Sequence, residues 1–355
     1  MKIMTDNGRI TFIDFIKGLA VIFMMFQHFG IWFWDIPWDK ITNIITDYPF
    51  YMAVNATGGF SAPAFIACAG FGAYYFNEKY GSNLKFIKRG IILLTFGYIM
   101  NFLVPSWFTW ASWYVLHLLG FCLIVSPVLL KIKKNYLLIL IMTVISLITV
   151  YIQYYLKTPL QYSSDRMGDY KMAGGVLRLI FAEGHFPILP WINFFIAGII
   201  SADFYHSKKR KNILIFAAAS IGTALILLYS GRFFHSLDTE ITKFFRIGTS
   251  FYPIYPIMLL FLISLVLFSI YILSFINFKN NNLIVLTGRL SLTVFILHIV
   301  IFKQGLVLIG KYRIFTTPVS FLLMLFFSFT FVLISYLWSK RNFRFSLEWL
   351  MRRLS

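Results

Sequence analysis

The sequence predicts an all-α, polytopic membrane protein with about ten transmembrane helices in one bundle, forming a single integral-membrane domain over residues 1–355. Hydrophobic residues make up 59% of the chain and charged residues only 13%, so the charged side chains are too few to cover a surface that faces water. The apolar runs are also long enough, at roughly 20 residues each, for a helix to cross the hydrocarbon core of a bilayer. Length and composition together therefore indicate membrane spans.

Ten apolar segments predict the spans in order along the chain. They lie at about 10–34, 57–77, 86–104, 112–130, 135–156, 187–205, 212–230, 251–275, 283–309 and 318–339. Prolines near the ends of several segments fit this division, because helices tolerate proline there. In the long loop between the fifth and sixth segments, GGVLRLIFAEG predicts a short interfacial helix.

The charge of the loops predicts how the protein is oriented. Basic residues cluster in alternate loops and after the last span, and acidic residues concentrate in the other loops. By the positive-inside rule, both termini are expected in the cytoplasm of a multi-pass protein of the cell membrane. Several tryptophans, among them Trp32 and Trp34, fall near the opposite boundary, where an aromatic belt is expected.

The net charge of +19 does not indicate nucleic-acid binding. Cytoplasmic loops of polytopic proteins retain Lys and Arg, and the chain has neither a basic domain nor a nucleic-acid-binding motif, so we predict no nucleic-acid partner. The two cysteines, Cys68 and Cys122, lie inside apolar runs and are expected to be buried thiols. HExxH and CxxC motifs and clustered carboxylate–histidine patterns are missing, so we predict no metal site.

The first span carries ionisable residues that a lipid-facing helix would avoid. Asp14, Lys17 and His28 fall on one helical face, and Lys17 and His28 lie roughly 16 Å apart along the axis. Ionisable groups inside spans are costly unless they are paired or face water, so these three are functional candidates. Two plainer readings stay open: Lys17 reaches the headgroups with Asp14 neutralising it, and His28 is a packing residue.

A second polar group lies in GRLSLTVFILH, residues 288–298. Arg289 opens the ninth span, and Ser291 and His298 lie about two turns apart on one face. Arg289 as an ordinary loop cation, and the serine and histidine as interhelical hydrogen-bonding groups, are the open alternatives. His117, early in the fourth span, is read as a structural residue.

Several stretches resemble one family. RITFIDFIKGLAVIFMMFQH, residues 9–28, resembles the first-span signature of the transmembrane acyltransferases, a clan that includes type-3 acyltransferases and heparan-α-glucosaminide N-acetyltransferase-like proteins. The type-3 branch has Arg, ten residues, then His; here Lys17 stands at the Arg position, which keeps the charge but loses the bidentate fork. FPILPWINFFIAG and TGRLSLTVFILH resemble further segments of the clan, in family order.

The resemblance implies an acyl-CoA-dependent O- or N-acyltransferase that moves an acyl group, most often acetyl, from cytoplasmic acetyl-CoA to an extracytoplasmic acceptor, with a glycan expected. It implies His28 as general base, with Asp35 orienting it. A covalent acyl-histidine intermediate is the alternative that stays open. The other implied roles are CoA binding by Lys17, Arg89, Arg289, Ser291 and His298, and support by Asp14, Trp38, His117 and Trp191. The implied partners are the lipid bilayer, acyl-CoA and the acceptor, and a homodimer is left open.

A proton-coupled small-molecule transporter is the alternative function, and an acyltransferase-like scaffold without catalysis, against which His28 argues, is a third. Intramembrane His, Lys and Asp residues also suit a carrier, although the spans show no clear inverted repeat.

Overall fold

The computed structural model of the chain describes residues 9–36, 48–159, 175–233, 239–245 and 252–355. The secondary structure in these ranges is helical, apart from one isolated bridge between Trp34 and Phe315. The helices are α1 Thr11–Phe33, α2 Pro49–Gly59, α3 Ser61–Tyr80, α4 Asn83–Leu103, α5 Val115–Lys131, α6 Asn135–Tyr155, α7 Gly175–Phe181, α8 Ile188–His206, α9 Arg210–Ser230, α10 Thr239–Thr242, α11 Pro256–Leu273, α12 Leu283–Arg289, α13 Ser291–His298, α14 Gly305–Leu308, α15 Thr317–Ser339 and α16 Leu347–Leu354. A π-helix lies at Ile299–Gln304, and short 3-10 helices lie at Gly231–Phe233 and Lys243–Phe245.

The predicted polytopic, all-α fold is confirmed. In the part of the chain that the structure describes, nine helical stretches are long and apolar enough to cross a membrane, and Val115–Lys131 is a shorter apolar helix. The short helix predicted in the loop after α6 is α7, Gly175–Phe181. Cys68 and Cys122 are buried and are not joined in a disulfide, as expected.

The predicted continuous span over 283–309 is wrong in one respect, because the helix breaks at Leu290. Leu290 leaves helical geometry, with φ −106° and ψ 18°, so α12 and α13 are separate helices. The amide groups at the start of α13 bond to a carboxylate from α16 instead of to α12. A π-helix then carries the chain from the end of α13 to Gln304.

The chain forms two compact units. The first comprises Met1–Phe65 and Ile272–Leu354, and the second comprises Ile66–Tyr271 with Ser355. In the first unit, α1 is the central element and packs against α2, α12, α13 and α15. The residues around α1 therefore define the site described below.

In the second unit, the close contacts are between α4 and α5, between α6 and α8, and between α8 and its neighbours α5 and α9. The buried carboxylate of Glu183, just after α7, binds both α7 and the chain that follows α6. The Glu183 carboxylate, which is 0% exposed, accepts hydrogen bonds from Thr158 Oγ1 and from Arg178, whose Nη2 lies 2.9 Å from Oε1. Lys243 Nζ donates to the Thr158 carbonyl at 2.9 Å, which links the 3-10 helix Lys243–Phe245 to the chain that follows α6.

Candidate active site

Two histidines that are distant in sequence meet inside the first unit. His28 Nδ1, on α1, lies 2.8 Å from His298 Nε2, at the end of α13. His298 is 0% exposed, and the two rings lie with their centroids 5.1 Å apart. The contact joins the two polar groups that the sequence singled out separately.

The hydrogen bonds define where the protons sit in the neutral pair. His298 Nδ1 lies 2.9 Å from the Val294 carbonyl, and a carbonyl oxygen can only accept, so Nδ1 carries the hydrogen. His298 Nε2 is then an acceptor, and His28 Nδ1–H donates to it. The lone pair of His28 is therefore on Nε2, the nitrogen that faces away from His298, which is the form that a general base requires.

Aromatic rings enclose the pair. Trp32 stacks on both imidazoles, with centroid distances of 5.0 Å to His28 and 5.7 Å to His298. Phe29 and Phe331 present their rings to His298 in edge-on geometry. Trp32 is 1% exposed, so it is a core residue of the first unit, and the expectation that it belongs to an aromatic belt is wrong. A tryptophan face beside an imidazole stabilises the imidazolium that forms when the base takes a proton.

A charge cluster lies toward the other end of α1. The Asp14 carboxylate, only 4% exposed, is 2.7 Å from Lys17 Nζ, 3.3 Å from Arg289 Nε and 3.8 Å from Arg9 Nε. Arg289 also donates from Nη2 to Asn280 Oδ1 at 2.7 Å. Three cations therefore surround one carboxylate, and this excess of positive charge can attract an anionic ligand.

A close helix crossing brings Arg289 to Asp14. A Cβ added at Gly18 of α1 would lie 2.0 Å from the Ile284 carbonyl oxygen, and one added at Gly288 of α12 would lie 1.8 Å from that of Asp14. Only glycine allows the two backbones to approach so closely. The glycines next to Lys17 and Arg289 thus position both cations on one carboxylate.

The two parts of the site lie along the same helix. Lys17 and His28 are separated by roughly 16 Å at the helical rise of 1.5 Å per residue. One end of α1 is thus suited to hold an anion and the other to move a proton.

The other residues predicted for this site lie elsewhere. Asp35 is exposed beyond the end of α1, and its backbone N–H donates to the Phe315 carbonyl at 3.0 Å. No hydrogen bond of the Asp35 carboxylate is seen in the described ranges, whereas His28 bonds to His298. Ser291 is the first, half-buried residue of α13. Trp38 lies outside the described residues.

Three predicted residues belong to the second unit. Arg89 places its guanidinium over the Phe76 ring, 4.1 Å from the centroid. His117 is fully buried, and its Nδ1 accepts a hydrogen bond from the backbone N–H of Tyr114 at 3.3 Å. Trp191 is also buried. Within the described ranges, no three His, Cys, Asp or Glu side chains come together as a metal site would require.

Two residues of the site, Thr293 and Glu348, were not predicted from the sequence. The Glu348 carboxylate, on α16, accepts from Thr293 Oγ1 at 2.6 Å and from the backbone N–H groups that begin α13. A sequence signal existed, because Glu348 is the single acidic residue in 241–355. The same part of the chain contains many cations that could pair with this carboxylate, so the sequence did not predict its contacts with Leu292 and Thr293.

Two family models, which overlap at residues 197–238, together match residues 9–355 of the chain. A family model described as "Heparan-alpha-glucosaminide N-acetyltransferase, catalytic" matches residues 9–238, more than half of the chain. A second model, described as a protein of unknown function (DUF418), matches residues 197–355. A search of curated proteins gives no match. His28 lies in the first matched segment and His298 in the second, so the pair joins the two.

Proposed function

The chain belongs to the heparan-alpha-glucosaminide N-acetyltransferase family, and we propose that it transfers an acetyl group from cytoplasmic acetyl-CoA to an acceptor on the other side of the cell membrane. The acceptor that we propose is a glycan hydroxyl or amine, because the family description names a glucosaminide. The distribution of Lys and Arg among the loops supports this orientation.

The observation that carries the proposal is the contact between His28 Nδ1 and His298 Nε2. His28 Nε2 takes the proton from the acceptor O–H or N–H as the acceptor attacks the thioester carbonyl carbon. The C–S bond breaks, the thiolate of CoA leaves, and His28 returns the proton to the sulfur. His298 holds His28 in the required tautomer, and Trp32 stabilises the imidazolium between the two proton transfers.

The charge cluster supports the donor side of the proposal. Arg9, Lys17 and Arg289 surround the single carboxylate of Asp14, so two positive charges are in excess and can attract the phosphates of CoA. The roughly 16 Å between Lys17 and His28 is of the same order as the length of the pantetheine arm. An acetyl-CoA bound by its phosphates at the cluster would thus reach the histidine pair.

Transfer by the purified protein tests this function directly. The protein in lipid nanodiscs is mixed with acetyl-CoA and a panel of amino sugars and glycans, and both free CoA thiol and acetylated acceptor are measured. We expect wild-type protein and His206→Ala, which removes an exposed histidine, to transfer, and His28→Ala to fall by about 10²–10⁴-fold. A folded His28→Ala protein with the wild-type rate would exclude His28 as the base.

The transporter alternative makes the opposite prediction. A carrier would move an acceptor-like solute into proteoliposomes without consuming acetyl-CoA. The proposed transferase should instead acetylate a glycan enclosed in the lumen while CoA accumulates outside. Acetyl-CoA should also raise the midpoint of thermal unfolding, because a ligand that binds only the folded protein stabilises it by mass action.

A further inference from the structure

The carboxylate of Glu348 binds the start of the helix that carries His298. Glu348 Oε1 accepts from the backbone N–H of Leu292 at 2.7 Å and of Thr293 at 3.2 Å, and Oε2 accepts from Thr293 Oγ1 at 2.6 Å. Thr293 Oγ1 in turn accepts from the backbone N–H of Leu347 at 2.9 Å. The last helix, α16, is thus fastened to the first turn of α13.

These bonds satisfy groups that the helix break exposes. Because the chain leaves helical geometry at Leu290, the first amides of α13 cannot use the carbonyls of α12. A carboxylate at a helix N-terminus accepts such amides and also interacts favourably with the helix dipole. Bonds to an ionised acceptor are roughly twice as strong as those between neutral groups. Glu348 therefore defines where α13 begins and how it is oriented.

The same short helix defines the state of His298. Val294, whose carbonyl binds His298 Nδ1, is the residue that directly follows Thr293. A displacement of the first turn therefore moves the acceptor that keeps the hydrogen on Nδ1. His28 is affected in turn. His298 Nε2 can accept a hydrogen bond from His28 Nδ1 only while the ring hydrogen of His298 is on its own Nδ1.

We propose that Glu348 is a positioning residue for the His28–His298 pair, acting from the C-terminal helix through its bonds to the first turn of α13. Glu348 does not touch the reacting atoms; it aligns the helix that orients the partner of the base. The inference rests on the proposed transferase function for its kinetic test and on the hydrogen bonds alone for its spectroscopic test.

The kinetic test compares three variants in nanodiscs. Glu348→Ala removes all three bonds, Glu348→Gln keeps an acceptor oxygen but loses the charge, and Arg353→Gln changes one exposed charge on the same helix as the matched control. For Glu348→Ala we expect kcat to fall by about tenfold or more, the effect of losing a charge-assisted cap, with the KM for acetyl-CoA unchanged. Glu348→Gln should lie between Glu348→Ala and the wild type, and Arg353→Gln should match the wild type.

A second measurement needs no turnover. Nitrogen-15 NMR of histidine-labelled protein reports which ring nitrogen carries the hydrogen, and the His298 signals are assigned by their loss in His298→Gln. We expect the Nδ1–H form of His298 in the wild type, and a mixture of ring forms in Glu348→Ala. A carboxylate with a purely structural role would lower the unfolding midpoint of Glu348→Ala but leave its kcat and its His298 signals as in the wild type, and that result would overturn the proposal.

The two measurements separate this inference from the proposed function. If the wild-type protein shows no acetyl transfer, the function fails, and the NMR comparison alone decides the inference. A changed His298 tautomer in Glu348→Ala would then still support positioning of the pair by α16. Unchanged His298 signals would overturn it whether or not the protein transfers acetyl groups.

Discussion

Gly18 and Gly288 face each other where α1 crosses α12, and neither position has room for a methyl group. An added Cβ would lie 2.0 Å from the Ile284 carbonyl oxygen at the first glycine and 1.8 Å from the Asp14 carbonyl oxygen at the second. Both obstacles are backbone atoms, so a side-chain rotation cannot relieve the overlap. The two helices would have to separate, and Arg289 would move away from Asp14.

Substitution of either glycine should therefore destabilise the protein. We expect Gly18→Ala to cost about 1–3 kcal/mol through overpacking, and to raise the KM for acetyl-CoA because the charge cluster opens. The matched control is Gly72→Ala on α3, where an added Cβ meets nothing within 4 Å. Thermal unfolding in detergent measures both variants, and equal midpoints would show that the crossing accommodates a methyl group.

The histidine pair should behave as a single catalytic unit. His28→Ala is expected to lower kcat by about 10²–10⁴-fold because the base is lost. His298→Ala should lower kcat in the wild-type background, since His28 loses the partner that fixes its tautomer, yet cost little more once His28 is absent. A double-mutant cycle on kcat measures this coupling, and His206→Ala is the exposed-histidine control. Additive losses would argue against the pair.

The spans could be predicted from sequence because length and hydropathy are local properties of a segment. The faces of α1 and α13 could be predicted too, and His28 and His298 each lay on the face expected of them. Their contact could not, because it joins positions 270 residues apart. The resemblance and its place just after α1 predict Asp35 as the orienting group, whereas the structure places His298 beside His28.

The break at Leu290 and the burial of Trp32 were not predicted from the sequence, for different physical reasons. The segment around Leu290 contains no proline, and the carboxylate that binds the new helix start comes from α16, far along the chain. Trp32 lies one turn after His28 on the same face of α1, so helical geometry favours its burial, whereas its position near the end of the span favours the membrane boundary. The two signals disagree, and the structure agrees with the first.

Lys17 offers a test of the donor end of the site. Lys17→Arg should keep near wild-type activity if its charge is what matters, because Arg preserves both the ion pair with Asp14 and the attraction for phosphate. Lys17→Gln should raise the KM for acetyl-CoA by about tenfold or more, the typical effect of one charge-assisted contact. The control is Lys133→Gln, which removes an exposed cation from the second unit. A KM for Lys17→Gln equal to that of the control would remove Lys17 from the donor site.

The buried pair of Arg178 and Glu183 in the second unit makes a prediction about stability. Glu183 is 0% exposed, and Arg178 is the cation that compensates its charge. Arg178→Met should destabilise the protein by about 3–5 kcal/mol, because removing one partner leaves a buried charge without compensation. Adding Glu183→Gln should recover much of that loss, since the uncompensated charge is then gone. Arg232→Met, at an exposed arginine after α9, is the control and should leave the unfolding midpoint unchanged.

The same variants address what the long loops after α6 and α9 do. Thr158 donates a hydrogen bond to Glu183 and accepts one from Lys243. The Arg178–Glu183 pair therefore also fixes the residue through which these two loops are in contact. If the loops only cap the helices, the double variant Arg178→Met/Glu183→Gln should keep the wild-type KM for the acceptor once its midpoint recovers. A raised KM for the acceptor, with the KM for acetyl-CoA unchanged, would instead place these loops at the acceptor site. The stability prediction is wrong if the single and double variants unfold at the same temperature, because the uncompensated charge would then not be the cause of the loss.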